Sequence, residues 1–215
     1  MTDVHCHIRG GNAAVRELVI GEHFVGVHPW ESEEAGVKSE ELRRILSENP
    51  RLGVGEIGLD RLKDRNISPR MREVFETQLR LGIELGRPIV LHGAKCWGQV
   101  VERVKSEEGR GKSCGSKFLF HGFSRSDGLI PDIAKLGGFI SVGPAVLNDH
   151  AVNYRALVKK IPEECLVLET DRTDSSAAEC PDVFAIAAKV AELRGISVAD
   201  LEILTDANAA RFYPF

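Results

Sequence analysis

Short apolar runs alternate with amphipathic stretches along most of this chain. Residues 70–86 are one such stretch, in which Phe75, Leu79 and Ile83 recur at helical spacing. Alternation of strands and helices predicts an α/β fold with a mostly parallel sheet. We predict strands at residues 3–8, 15–20, 24–28, 52–57, 88–92, 117–121, 138–142 and 165–169. We predict helices at residues 39–48, 70–86, 97–108, 126–136, 151–161, 181–194 and 198–212.

Eight predicted strands favour a closed (β/α)8 barrel of the TIM type. The barrel is expected to be compact, because 215 residues are few for this architecture. Its second βα unit is abbreviated, since the residues between the strands at 15–20 and 24–28 are too few for a helix. Glycines at 109–115 predict a loop. No linker or repeat interrupts the pattern, so we expect a single domain over residues 1–215.

Composition narrows the class of protein. The hydrophobic fraction of 43% supports a sizeable core, and the absence of long apolar runs and of a secretory signal predicts a cytoplasmic protein without a membrane span. The five cysteines are scattered and form no CxxC pair, which favours a reducing compartment over a disulfide framework. The net charge of −4 argues against non-specific duplex binding through a basic face. We expect no obligate protein partner.

An Asp-x-His-x-His run near the N-terminus holds Asp3, His5 and His7. In an extended strand His5 and His7 point to the same face, about 7 Å apart, where two imidazoles can bind one metal ion. Chance or a structural role would also explain an isolated pair. Further potential ligands, however, follow later predicted strands. The full candidate set is His5, His7, Glu56, His92, His121 and Asp171.

The carboxyl ends of all strands meet on one face of a barrel, where active sites of this fold lie. Four histidines and two carboxylates converging there would suit one or two divalent ions: Zn²⁺, Mg²⁺ or Mn²⁺. A glutamate can bridge two ions, an arrangement that activates water and binds a phosphoryl group. Taken singly, each residue could instead be a hydrogen-bonded structural histidine, an ion-paired acid or a turn cap.

Other polar and aromatic residues also follow strand ends. His28, Lys95, Arg125 and Arg172 are candidate substrate contacts, with surface solvation or a structural role as the alternative. Asp60 is expected to be a turn residue, with orientation of a loop or a ligand as the alternative, and Cys6 is expected to be a packing residue. Trp30 and Trp97 could stack on a base, although packing is the expected role of both.

Motifs along the whole chain resemble those of the TatD family of metal-dependent hydrolases, within the amidohydrolase-like barrels. The similar segments are Asp3-Val-His-Cys-His7, Gly26-Val-His-Pro29, Gly55-Glu-Ile-Gly-Leu-Asp60, Val90-Leu-His92, His121-Gly-Phe-Ser124, Gly138-Phe-Ile-Ser141, Leu168-Glu-Thr-Asp171, and Asn208 before Arg211-Phe212. The resemblance implies a (β/α)8 barrel with a divalent metal centre and phosphodiester hydrolysis, often as a deoxyribonuclease. It implies that His5, His7 and Asp171 hold one ion, that His92 and His121 hold a second, and that Glu56 is shared between them.

The chain departs from the family pattern in two places. Gly93-Ala94-Lys95 stands where Ser-Arg-Asp is frequent, and Arg172-Thr173-Asp174 stands where Ala-Pro-aromatic is usual. Both departures lie where substrate would be held. The resemblance therefore specifies the metal centre more closely than the substrate.

The sequence is compatible with three alternative functions. The leading hypothesis is a metal-dependent phosphodiesterase or deoxyribonuclease acting on DNA ends or another small phosphodiester, in which Asp171 orients or deprotonates the attacking water and Glu56 fixes the metals. The second is hydrolysis of an amide, lactone or ester on the same centre. Such barrels often bridge their metals with a carbamylated lysine, so a glutamate at position 56 favours the first. The third is a catalytically silent, metal-binding scaffold.

Overall fold

The computed structural model describes residues 1–35, 39–109, 115, 117–174 and 179–214. Its strands are β1 Thr2–Cys6, β2 Arg16–Val19, β3 Phe24–Val25, β4 Gly53–Asp60, β5 Pro88–Ala94, β6 Lys117–Phe120, β7 Phe139–Val142 and β8 Leu166–Leu168. Its α-helices are α1 Ser32–Ala35, α2 Ser39–Glu48, α3 Pro69–Glu84, α4 Trp97–Glu108, α5 Ile130–Lys135, α6 Val152–Val158, α7 Val183–Arg194 and α8 Val198–Phe212. Short 3₁₀ turns cover Pro29–Glu31, Asp127–Leu129, Pro144–Leu147 and Glu163–Cys165.

The chain divides into two compact units. The first unit combines Met1–Ile20 with the chain from His121 onward, and the second unit is Gly21–Phe120. In the first unit β1 pairs with β2 and β7 pairs with β8, both in parallel, while β1 also contacts β8. In the second unit the strand order is β3-β4-β5-β6, again all parallel.

Helix boundaries follow local capping chemistry. Ser68 precedes α3 and its hydroxyl accepts from the Met71 amide at 2.9 Å, while Pro69 occupies the first helical position. Asp182 caps α7 in the same way through the Phe184 amide, so the helix predicted from residue 181 begins at Val183. Gly195, at φ 68°, ends α7 in the left-handed conformation that glycine adopts without steric cost.

The eight predicted strands and seven predicted helices are all present; α2, α4 and α8 have the predicted ends, and the other elements have altered ends. The segment predicted at 126–136 splits into a 3₁₀ turn followed by α5, and the short α1 was not predicted. Residues 21–23 form a turn and no helix, which confirms the abbreviated second βα unit. β1 ends at Cys6, so His7 lies beyond the strand that was expected to carry it. Most of the loop predicted at 109–115 lies outside the described residues.

Buried surfaces agree with the sequence pattern. The apolar runs of β5 and β6 are buried, as expected for parallel strands covered on both faces. Cys6 is fully buried and packs as predicted, and Trp97 is buried against Phe120. The prediction of packing is wrong for Trp30, which is half-exposed. Every helix in the described part of the chain is too short or too polar to cross a membrane.

Strand β4 runs three residues further than predicted because Gly58 permits close pairing with β5. Gly58 has φ 154° and lies opposite His92, whose carbonyl oxygen a Cβ at position 58 would overlap. A side chain there would be both strained and clashing. Pairing continues through Asp60 opposite Ala94.

We expect Gly58→Ala to lower the free energy of unfolding by roughly 3–5 kcal/mol, the sum of backbone strain and an overpacked contact. The matched control is Gly98→Ala in α4, where a Cβ meets no atom within 4 Å. That substitution should leave stability unchanged or raise it by up to about 1 kcal/mol. Urea denaturation of the three proteins measures the difference, and equal midpoints for Gly58→Ala and wild type would contradict this account.

Candidate metal centre

The first unit brings His5, His7 and Asp171 together. One potential ligand atom of each lies within 4.8 Å of the others, and we name this group the β1/β8 cluster. Asp171 Oδ1 is 3.4 Å from His5 Nε2 and 3.6 Å from His7 Nε2. The His5 side chain is fully buried, whereas those of His7 and Asp171 are 34% and 46% exposed. The cluster is therefore anchored in the core and open on one side.

Backbone hydrogen bonds and a buried carboxylate fix this arrangement. The Asp171 amide donates to the His5 carbonyl at 3.0 Å, and the His7 amide donates to the Arg172 carbonyl at 2.8 Å. Asp3 accepts from both the amide and the hydroxyl of Thr170, at 2.9 and 2.6 Å. The first residue of the Asp-x-His-x-His run therefore ties the end of β8 to β1, a role that the sequence pattern did not reveal.

His121 lies in the same unit and stacks on His5. Their ring centroids are 4.0 Å apart with a tilt of 31°. His121 Nδ1 is 3.4 Å from Glu169 Oε2, and the other oxygen of Glu169 accepts from the Gly122 amide at 2.8 Å. Glu169 thus lies beside His121, in the place where an outer carboxylate commonly accompanies a metal-binding imidazole. No sequence motif predicted a role for Glu169.

Asp171 is ionised at neutral pH. Its burial opposes ionisation, but hydrogen bonds from His5 and His7 outweigh that effect and hold the pKa of Asp171 well below its usual range. An ionised carboxylate between two imidazoles can bind a cation or orient a water molecule.

The second unit brings together His28, Glu56 and His92, which we name the β4/β5 cluster. One ligand atom of each lies within 4.8 Å of the others. His92 Nδ1 lies 2.5 Å from Glu56 Oε1, and His28 Nε2 lies 3.6 Å from the same oxygen. The register of β4 against β5 shifts by one residue between Val54 and Ile57, a bulge that re-aims the Glu56 side chain.

Asp60 belongs to this cluster as well as to a turn. Its Oδ2 lies 2.8 Å from His92 Nε2, and its Oδ1 accepts from the Leu62 amide at 2.5 Å. Burial opposes ionisation of Asp60, yet these hydrogen bonds lower its pKa. Glu56, Gly58 and Asp60 alternate onto one face of β4, and Gly58 lies opposite His92. That alternation is the sequence signal that favours orientation of a ligand over a turn alone as the role of Asp60.

The tautomer of neutral His28 follows from its neighbours. His28 Nδ1 accepts from the Trp30 amide at 3.2 Å, so the ring proton lies on Nε2, which faces Glu56. In this form Nε2 donates a hydrogen bond and does not bind metal. The geometry is compatible with the predicted substrate contact, which stays a prediction.

Lys95, Arg125 and Arg172, the three cationic residues predicted to contact substrate, differ in backbone conformation and exposure. Among the described residues, three non-glycines have left-handed backbone: Lys95 (φ 58°), Arg125 (φ 57°) and Asp171 (φ 50°). Each follows a strand end, and such strain concentrates at functional sites. Lys95 and Arg125 are exposed. The Arg172 guanidinium is half-buried against Gly10.

A groove of about 1080 Å³ in the first unit opens beside Asp171 and Glu169. Arg125, His150 and Tyr154 also line it, and the Tyr154 hydroxyl accepts from the Gly143 amide at 3.1 Å. No sequence motif predicted a role for His150 or Tyr154. The six predicted ligands belong to both units, and their convergence in one cluster stays a prediction.

Comparison with known proteins gives a consistent picture. The family model described as TatD related DNase matches residues 16–214. Metal-dependent hydrolase YabD of Bacillus subtilis is 27% identical over 80% of this chain and 69% of its own length. The 3'-5' ssDNA/RNA exonuclease TatD of Cronobacter sakazakii is 29% identical over 87% of this chain and 75% of its own. Human deoxyribonuclease TATDN3 is 26% identical, over 91% of this chain and 73% of its own.

Solved structures show the same fold. The TatD homologue YjjV of Escherichia coli aligns with a TM-score of 0.78 and 24% identity, over 95% of this chain and 79% of its own. A TatD family hydrolase of Entamoeba histolytica aligns with a TM-score of 0.71 and 17% identity, over 100% of this chain and 83% of its own. The predicted α/β fold of the (β/α)8 barrel class is confirmed. The family match begins after His5 and His7, so their assignment depends on the geometry of the β1/β8 cluster.

Proposed function

This chain belongs to the TatD related DNase family of metal-dependent hydrolases, and we propose that it cleaves phosphodiester bonds at the ends of DNA or in another small phosphodiester. The β1/β8 cluster carries the proposal. Two imidazole nitrogens and an ionised carboxylate, all within 4.8 Å of one another, form a donor set suited to a divalent cation. Relatives named as an exonuclease and a deoxyribonuclease support the choice of substrate.

The donor atoms fit a bound ion in both units. His5, His7 and Asp171 supply two nitrogens and one oxygen, with His121 beside them. In the second unit Glu56 and His92 supply a further oxygen and nitrogen. We infer one or two divalent ions per chain, drawn from Zn²⁺, Mg²⁺ and Mn²⁺, because imidazole favours zinc whereas carboxylate also accepts the harder ions.

Individual side chains have distinct roles in hydrolysis. A divalent ion, when bound, lowers the pKa of water and offsets negative charge on phosphoryl oxygens. Asp171 is ionised and exposed on one side, so it can accept a hydrogen bond, and then the proton, from the water that attacks phosphorus. The backbone hydrogen bond from the Asp171 amide to the His5 carbonyl keeps the Asp171 carboxylate beside the two imidazoles. Arg125, exposed in the groove beside Asp171, can pair with a non-bridging phosphate oxygen.

Metal analysis of the purified protein, combined with an exonuclease assay on single-stranded DNA, tests the proposal. We expect one or two equivalents of divalent metal, loss of hydrolysis after chelation, and recovery when one of Zn²⁺, Mg²⁺ or Mn²⁺ is returned. A lactone and an amide substrate are run in parallel. Hydrolysis of these but not of the phosphodiester would favour the amide, lactone or ester alternative. A metal-replete protein that hydrolyses none of them would favour the scaffold.

A further inference from the structure

Trp30 is an aromatic side chain held at the surface beside the β4/β5 cluster. It is 49% exposed, although aromatic side chains usually bury most of their area. Its ring stands edge-to-face with His28, with centroids 5.0 Å apart, and His28 Nε2 is 3.6 Å from Glu56. His28 therefore lies between the exposed ring and Glu56, a candidate metal ligand.

Local structure fixes the position of this ring. Pro29 opens the 3₁₀ turn Pro29–Glu31, and the Trp30 amide donates to His28 Nδ1 at 3.2 Å. The Ser32 hydroxyl closes the turn by donating to the Pro29 carbonyl at 2.7 Å. A ring mounted on such a turn is pre-organised, so little entropy is lost when a ligand stacks on it.

A basic loop accompanies the ring. Residues 61–66 are all exposed and contain Arg61, Lys63 and Arg65 against a single acid, Asp64. Lys63 Nζ lies 4.1 Å from the centroid of the Trp30 ring. A cation in this position is attracted by the electron-rich face of the indole, a pairing worth little at an exposed site.

Hydrogen bonds hold the loop in place. The Leu62 amide donates to Asp60 Oδ1 at 2.5 Å, and Arg61 Nε donates to the Arg65 carbonyl at 2.7 Å. Asp60 is also the residue that contacts His92. The loop and the β4/β5 cluster thus share one anchor, which sets the distance between them.

We propose that Trp30 and Lys63 form a base-stacking platform for a single-stranded nucleic acid. A nucleobase stacks on the ring face that Lys63 covers, and the ammonium moves to an adjacent phosphate. Stacking tolerates every base because each has a π-face, and it requires a base released from a duplex. The inference rests on the proposed function, since it places the substrate strand beside the β4/β5 cluster.

An abasic scan tests the platform. Single-stranded ten-nucleotide substrates carry one abasic site at each position in turn, with phosphorothioate linkages for binding by fluorescence anisotropy and ordinary linkages for hydrolysis. For the metal-loaded wild type, loss of one particular base should weaken binding roughly 5- to 100-fold. Trp30→Ala should weaken binding of the intact oligonucleotide by a similar factor and give a flat scan. Trp30→Phe should retain most of the base dependence.

The phosphate contact of Lys63 is tested separately by the salt dependence of binding. Replacing it in Lys63→Gln should reduce the slope of log Kd against log salt concentration by about 0.7, the value for one phosphate contact on a single strand. Lys159→Gln, at an exposed lysine just after α6, is the matched control and should leave the slope unchanged. Ile203→Ala, at an apolar side chain 70% exposed in α8, is the control for Trp30→Ala.

A flat abasic scan for the wild type overturns the platform, and so does a scan for Trp30→Ala that matches that of the wild type. In either case Trp30 and Lys63 are an ordinary surface pair. Failure of the proposed function is a different result, namely no hydrolysis of the ordinary oligonucleotides while binding is still measured on the phosphorothioates.

Discussion

Replacing His5 and His7 together with alanine should remove one divalent ion and reduce turnover by roughly 10³-fold. The variant deletes both nitrogens of the β1/β8 cluster and leaves Asp171 as its single remaining member. A catalytic ion contributes several kcal/mol of charge stabilisation in the transition state, and each 1.4 kcal/mol or so corresponds to a tenfold change in rate. Metal content by mass spectrometry and initial rates on single-stranded DNA measure the two effects.

His23→Ala is the control for this double variant. His23 precedes β3 and lies outside both clusters, and its carbonyl accepts from the Gly53 amide, a bond that does not depend on its side chain. It should retain full metal content and activity. Equal metal content in wild type and in the His5→Ala, His7→Ala variant would show that the β1/β8 cluster does not bind the ion.

Asp171→Asn should lower turnover by roughly 10²–10⁴-fold, the usual range for loss of a general base. Asparagine keeps the size of the side chain but removes the charge that His5 and His7 stabilise. The Michaelis constant should change less, because phosphate is expected to be bound mainly by metal and by cations such as Arg125 in the groove beside Asp171. Steady-state kinetics at saturating metal separates the two parameters.

Asp127→Asn is the matched acid-to-amide control, because Asp127 is exposed and pairs with Lys160 at 2.5 Å. Its turnover should equal that of the wild type. Near-normal turnover of Asp171→Asn with metal saturating would show that Asp171 is neither the base nor an essential ligand, even if the β1/β8 cluster binds its ion.

Glu56 illustrates how far a sequence pattern reaches into a site. Its place in a Gly-Glu-Ile-Gly-Leu-Asp run identified it as a candidate ligand. The residues that this run contacts are set by strand register. Gly58 lies opposite His92, and this pairing places Glu56 and Asp60 on either side of the His92 imidazole. Register depends on pairing between residues more than thirty positions apart, which a single sequence does not specify.

Trp30 shows the opposite outcome. Aromatic residues are usually buried, so packing was the expected role, and it proved correct for Trp97 and wrong for Trp30. The difference arises from the turn that follows β3. There the His28 side chain accepts a hydrogen bond from the Trp30 amide, and Lys63, from a loop distant in sequence, covers the Trp30 ring.

The sequence by itself determined the succession of strands and helices, since hydrophobic periodicity and capping residues act over a few neighbouring positions. It also identified the histidines and carboxylates that could bind a metal, because their chemistry is a property of residue type. Tertiary structure alone decided that Asp3 ties Thr170 to β1, that Glu169 lies 3.4 Å from His121, and that the Arg172 side chain lies against Gly10. These contacts join residues distant in the chain, and only the pairing of strands brings them within a few ångströms of one another.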